Sequence, residues 1–296
     1  MKKFPQIKTE ADFHTHFKSE IWADVAKEIC RRECVAFEQI KRLASSDHVV
    51  FAIDGNFVLK IYRPFRNCFA REIKALEFVG GKIDFATPEI VKIGAFENFP
   101  YALITQIAGA AMTRADWLKL SENEQIQFVQ KLAGGLKQIH ALSAETFEND
   151  WADFVKNRAE TFVERQTAHG VNDKILAALP KFIDENLKLI PVNPPSVFMH
   201  ADVHFGNLRV TKDMKIAGIF DFADSRKGFH EYEFLAVGVL IIQGQGKLQR
   251  EFFTTYGYAE SDLNEEMRRR LMMLTMLYET ADLRRYALRL KPEAVE

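Results

Sequence analysis

The chain has 296 residues, of which 47% are hydrophobic and 27% charged, with a formal net charge of −1. That length buries a substantial core in one large domain or two lobes. The near-neutral balance leaves no electrostatic footprint for a nucleic-acid partner. Cys30, Cys34 and Cys68 form an odd set. Cys30 and Cys34 stand one helical turn apart and read as small hydrophobes, with no second Cys or His pair to complete a zinc site. Lys2 and Lys3 lead into no apolar segment, and the longest apolar run, Phe234 to Ile242, is too short to span a bilayer. A cytoplasmic chain with no membrane partner is therefore expected, as a monomer or weak dimer.

Residues 9–34 carry Phe13, Phe17, Ile21, Val25 and Ile29 at helical spacing and close near Arg31 and Arg32. His14 and His16 lie on this segment as surface residues. The region 37–62 is rich in strands: Gln39–Leu43, His48–Ile53 and Phe57–Tyr62, the last two joined by Asp54-Gly55-Asn56, a strong hairpin cue. Ala44-Ser45-Ser46-Asp47 between the first two reads, by itself, as a turn.

Alternation puts Val58, Lys60 and Tyr62 on one face of their strand. A Lys among such neighbours needs a partner or an exit to solvent, unless it guards an edge strand against aggregation. The next helix offers a partner. Asn67 can cap it, Gly80-Gly81 can end it, and Phe69, Ile73, Leu76 and Val79 mark its buried stripe. Glu72 falls inside that stripe and Glu77 outside it. A buried carboxylate is costly unless paired, which makes Lys60 the natural partner of Glu72.

Thr87-Pro88 precedes two more strands, Glu89–Phe96 and Tyr101–Gln106, after which the pattern turns helical. Thr113 and Asp116 form a capping-box-like start, and a long helix runs from about Glu122 to Leu142, with His140 as a structural residue near its end. Residues 146–190 hold two or three more helices. Leu208–Thr211 and Lys215–Phe220 then read as a hairpin that carries His200-Ala201-Asp202 and Asn207 before it or at its start and Asp221 after it. Near the end, Asp282 stands one turn beyond Tyr278 on the stripe that includes Leu271 and Thr275.

Asp202 and Asn207 are five residues apart, the spacing of the kinase catalytic loop. Asp221 opens Asp-Phe-Ala-Asp, where protein kinases carry their metal-binding Asp-Phe-Gly. Together these segments resemble the aminoglycoside phosphotransferase and choline kinase family, whose loop reads His-Gly-Asp-x-His-x-x-Asn and whose metal Asp sits in Ile-Asp-Phe or Ile-Asp-Trp. This chain has Ala201 for the Gly and Phe220 for the Ile.

The resemblance implies an α+β, bilobal, protein-kinase-like fold. A small antiparallel-sheet N-lobe would occupy residues 1–105 and a larger, mainly helical C-lobe residues 106–296. It implies ATP (or GTP) and Mg²⁺, with the γ-phosphoryl group passing in line to a hydroxyl of a small molecule. Asp202 would be the base, Asn207 and Asp221 the metal ligands, and Lys60, fixed by Glu72, the phosphate grip. Ser45 and Ser46 would cover the phosphates. The carbonyl of Thr105 and the N–H of Ile107 would meet adenine. His204 would stabilise the transferring phosphate or hold the loop, and Glu233, where the family commonly has Asp, would orient that loop. Carboxylates on the final helices line the family's amino-sugar site, which makes Glu279 and Asp282 substrate candidates. The acceptor stays open between an aminoglycoside antibiotic, in which case resistance would follow, and a metabolic alcohol or sugar, or a protein. A catalytically silent kinase-like binding module is the remaining reading.

Two other readings fit the central segment alone. His200 and Asp202 with His204 or His230 could begin a two-His-one-carboxylate iron site, although the long helical stretches leave few strands for the β-barrel that usually carries one. A His and an Asp capping a turn is the plainer alternative.

Overall fold

A computed structural model describes residues 4–43 and 47–290. Ser45 and Ser46 lie outside the described residues. The chain forms two compact units: one comprises Met1–Lys82, Ala86–Ala108 and Phe220–Asp224, the other Ile83–Phe85, Gly109–Ile219 and Ser225–Glu296.

The first unit opens with α1 (Glu10–His16) and α2 (Ile21–Arg32). The continuous apolar spacing over 9–34 is thus split in two. The Trp22 indole N–H donates to the His16 carbonyl at 3.0 Å, and the Ser19 hydroxyl accepts the Ile21 N–H at 3.3 Å. Side-chain bonds of this kind compete with helix continuation. Among the described residues, five strands follow: β1 (Ile40–Leu43), β2 (Val49–Ile53), β3 (Phe57–Ile61), β4 (Ile90–Phe96) and β5 (Phe99–Thr105). They form one antiparallel sheet in the order β1-β2-β3-β5-β4. Asp54 and Gly55 both have positive φ, 49° and 72°, and the Asn56 N–H reaches the Ile53 carbonyl at 3.0 Å. This is the type I′ turn whose twist suits a hairpin. The helix α3 (Cys68–Val79) lies between β3 and β4 in the chain; Asn67 holds its cap position, but without a side-chain bond. Phe13, Trp22, Phe51, Phe96 and Phe99 are fully enclosed in one core cluster.

The second unit is mostly helical. Short strand β6 (Ala110–Ala111) leads to α4 (Arg114–Trp117) and α5 (Glu122–Ala141), which start in reciprocal capping boxes at Thr113/Asp116 and Ser121/Glu124. Next come α6 (Trp151–Glu160), α7 (Phe162–Ala168) and α8 (Asp173–Asn186). The strands β7 (Val197–Met199), β8 (Leu208–Val210), β9 (Ile216–Ile219) and β10 (Arg226–Gly228) form two small antiparallel ladders, β6-β8-β9 and β10-β7. Among the described residues, the α-helices α9 (Glu231–Ala236), α10 (Gly246–Tyr256), α11 (Glu265–Leu277) and α12 (Leu283–Leu290) follow, with a π-helical segment, Val237–Ile242, directly after α9.

One expectation about the last helices fails. Leu271 and Thr275 lie on α11, but that helix stops at Leu277, and Tyr278 turns to ψ 145°. The Arg158 guanidinium takes the terminal carbonyls, its Nε on Leu277 at 3.0 Å and Nη2 on Tyr278 at 2.6 Å. Asp282 therefore does not continue the Tyr278 stripe. It sits at the start of α12, where its Oδ1 accepts the N–H groups of Arg284 and Arg285. No helix among the described residues is long and apolar enough to cross a membrane.

Candidate active site

In the first unit, strand alternation turns Lys60 and Tyr62 toward the face covered by α3. Lys60 is 4% exposed and Glu72 1% exposed. Lys60 Nζ lies 2.6 Å from Glu72 Oε2 and 2.6 Å from Asp221 Oδ1. The Tyr62 hydroxyl donates to the same Glu72 oxygen at 2.8 Å. Glu77 is exposed and takes no part. Burial alone would lower the Lys60 ammonium, but the two carboxylates outweigh it and raise its pKa, so the side chain stays charged. Burial pushes the Glu72 carboxyl up, and Lys60 works against that push. Asp221 is presented by a left-handed residue, φ 66°, directly after β9 and Phe220. Arg71 on α3 reaches the Ala223 carbonyl at 3.4 Å, so α3 also holds the segment that follows Asp221. Two carboxylates thus share one buried ammonium.

The second cluster belongs to the second unit. Asp202 follows β7 in a loop whose Ala201 has φ 67°, at the position where the related pattern carries Gly. The Ala201 N–H donates to Glu233 Oε1 at 2.7 Å, and the other Glu233 oxygen lies 2.5 Å from His140 Nε2. Glu233 is 1% exposed, so this buried carboxylate ties the loop to α9 and α5. The Asp202 N–H donates to His200 Nδ1 at 3.2 Å. The Asn207 amide nitrogen donates to the Asp202 carbonyl at 2.9 Å and to its Oδ2 at 3.0 Å. With that nitrogen committed, the Asn207 Oδ1 is the atom it offers to a cation.

His204 Nδ1 accepts the Gly206 N–H at 2.9 Å, so in the neutral ring Nε2 carries the proton, 3.3 Å from Asp202 Oδ2. The Tyr278 hydroxyl donates to Asp202 Oδ1 at 2.6 Å. Burial pushes the Asp202 carboxyl up, but His204 and Tyr278 more than offset it and hold its pKa at about 2. This carboxylate is ionised at any physiological pH and aligned by partners at both oxygens. His230 is held elsewhere, 2.8 Å from the Tyr258 hydroxyl and stacked on Tyr256. Among the described residues no group of three or more His, Cys, Asp or Glu side chains is placed to hold a metal ion, so the two-His-one-carboxylate arrangement is not assembled.

Thr105 ends β5, with its hydroxyl accepting the Glu89 N–H at 2.8 Å, and Ile107 is buried just beyond it. Glu279 is exposed; its N–H donates to the Tyr232 hydroxyl at 3.2 Å. Asp282 is buried at the start of α12 and lines a cavity of about 560 Å³ that also reaches Asp202 and His204. Sequence reasoning missed two phenols. Strand alternation puts Tyr62 on the face of Lys60 but gives it no role, and the interval of two residues is the available signal. Tyr278 left no signal, because its partner lies 76 residues away.

These parts define a phosphotransferase of kinase-like fold. Residues 37–272 match the family model described as the phosphotransferase enzyme family, APH, and the chain belongs to that family. Solved structures agree on the fold. The GDP complex of aminoglycoside 2'-phosphotransferase-IIIa superposes with a TM-score of 0.74 at 14% identity, covering 92% of this chain and 94% of that one. The streptomycin–ATP ternary complex of APH(2")-IIa gives 0.62 at 17% identity, with 93% of each chain covered. APH(3'')-Id from Streptomyces rimosus, with ADP and streptomycin, gives 0.58 at 16% identity over 86% of this chain and 98% of that one. No curated protein sequence matches the chain.

Proposed function

We propose that the protein is a nucleotide-dependent small-molecule kinase that transfers the γ-phosphoryl group of ATP (or GTP) to a hydroxyl. The observation that carries this reading is the buried Lys60 ammonium held at 2.6 Å by both Glu72 and Asp221. Lys60 has a third N–H for a phosphate oxygen, and its position is fixed before nucleotide arrives. Asp202 aligns the acceptor hydroxyl and takes its proton. The acceptor oxygen bonds to the γ-phosphorus, the bridging bond to the β-phosphate breaks, and the nucleoside diphosphate leaves. With a pKa of about 2, Asp202 is a weak base that serves mainly to position. That suits a loose transition state in which the hydroxyl loses its proton late.

Asn207 Oδ1 and the Asp221 carboxylate are the residues that would hold Mg²⁺. The donors are all oxygen, as a hard cation requires. Mg²⁺, when bound, would neutralise charge on the phosphates. His204 orients Asp202. The Thr105 carbonyl and Ile107 N–H are proposed for the base of the nucleotide, and Ser45 and Ser46 for its phosphates. Several of the solved relatives hold aminoglycosides, which makes these antibiotics one acceptor class to test. The adjacent substrate residues are proposed as Asp282, with Glu279 beside it.

Purified protein with Mg²⁺ and ATP or GTP is expected to phosphorylate at least one hydroxylated acceptor in a panel. Asp202→Ala should lower turnover by about 10²–10⁴-fold while nucleotide binding persists. Nucleotide binding without turnover by the wild type would favour the silent binding module. Drug-susceptibility testing alongside would separate an aminoglycoside acceptor from a metabolic one.

A further inference from the structure

The cavity of about 560 Å³ beside Asp202, wholly within the second unit, carries an uneven set of charges. Arg114, Arg285 and Arg289 line it, against the carboxylates of Asp202 and Asp282 only. Both carboxylates are already engaged. Asp202 has Tyr278 on one oxygen and His204 on the other. Asp282 accepts the Arg284 and Arg285 N–H groups at 3.0 and 3.3 Å and faces Arg285 Nε at 3.3 Å and His169 at 4.0 Å. Arg114 and Arg289, by contrast, make no ion pair among the described residues. Arg285 and Arg289 are four apart on α12 and so share a face.

A polycationic acceptor brought into this space would set its ammonium groups against guanidinium groups with no uncommitted carboxylate to receive them. A carboxylate or phosphate would instead find the planar donor forks that bind such groups bidentately. The volume falls within the range of sites for single small molecules. We propose that the acceptor is a small hydroxylated molecule carrying an anionic group, a carboxylate or a phosphate ester. Its hydroxyl is set at Asp202 and its anion lies against Arg114 and Arg289. This rests on the phosphotransferase reading and narrows it, and it sets aside the polycationic aminoglycosides.

The test titrates D-glucose, gluconate, glucose 6-phosphate, glucosamine and kanamycin calorimetrically into the protein saturated with Mg²⁺ and a non-hydrolysable ATP analogue. The analogue fills the nucleotide's own anion sites. Gluconate or glucose 6-phosphate should bind at least about tenfold more tightly than glucose or either amino sugar. The tighter of the two identifies the anion. The double variant Arg114→Ala/Arg289→Ala should abolish that preference, with the Kd of the anionic ligand rising more than that of glucose. Both side chains are exposed, so truncation leaves the core intact, and an unchanged unfolding midpoint checks this. Tighter binding of glucosamine or kanamycin, equal affinities across the panel (no binding by any member included), or a preference that survives the double variant would each overturn the proposal. ATP turnover is read separately: its absence removes the kinase reading while an anion preference still stands on the binding data.

Discussion

Lys60 and Glu72 meet at 2.6 Å in the interior of the first unit, a strand residue and a helix residue buried together with their charges intact. Leaving one of them alone is expensive, because the remaining charge keeps its desolvation cost without its partner. Glu72→Ala leaves Lys60 with Asp221 only. The expected loss of stability is about 3 kcal/mol, read from urea unfolding of variant and wild type. The KM for ATP should rise at the same time, since the ammonium is no longer fixed from the α3 side. Unchanged stability and KM would mean that Asp221 alone positions Lys60.

The Asp202 carboxyl has its pKa lowered from 3.8 to about 2. A depressed folded-state pKa stabilises the fold above the unfolded value, and that contribution disappears as the pH falls through the folded value. The window is therefore about pH 4 down to about pH 2, and the contribution above it is about 2 kcal/mol. The stability difference between wild type and Asp202→Asn should be flat from pH 7 to about 5 and shrink below about 4. Tyr278→Phe removes one of the bonds that hold the carboxylate, so the folded-state pKa rises: the loss still begins near the unfolded value but is smaller and is complete at a higher pH. That variant should also lose about tenfold in kcat, through misalignment of a base that stays ionised. A Tyr278→Phe enzyme with wild-type kcat would assign the hydroxyl to packing alone.

Ala201 occupies a backbone conformation, φ 67°, that an L-residue adopts at a cost of roughly 1–2 kcal/mol. Ala201→Gly relieves that cost but adds freedom to the unfolded chain and removes a buried methyl, each worth up to about 1 kcal/mol. The terms nearly cancel, so stability should change by less than about 1 kcal/mol and turnover should persist. Ala201→Val forces a β-branched side chain into the same conformation in a buried loop, and it should cost about 2 kcal/mol or more and most of the activity. Thermal unfolding of the two variants decides; a large loss in Ala201→Gly would mean that the methyl contributes more than the strain costs.

Period and spacing made part of this protein legible before any coordinates. The alternation around Lys60 and the helical stripe around Glu72 are short-range patterns, and each already states which face is buried. Asp54-Gly55 specifies its turn through the φ values those residues tolerate. Asp202, Asn207 and Asp221 stand in a pattern that resembles a family's motif, and that pattern is legible because a loop and the hairpin after it are local in the chain; the roles of the three residues are proposals. Thr113 with Asp116 announces its own capping box.

Packing decided the rest. Trp22 and Ser19 break the first helix through bonds that no apolar period encodes, and Arg158 ends α11 from 119 residues away. Tyr278 reaches Asp202 across 76 residues, so neither neighbourhood names the other. The sign of charge in the cavity was hidden for the same reason. Asp282 looked in sequence like an available carboxylate, and only the fold showed its oxygens committed to α12, with Arg114 and Arg289 brought to one space from opposite ends of the second unit. Local patterns fix which side chains turn inward because burial follows the period of the backbone; which of them meet depends on chain closure, which has no period to read.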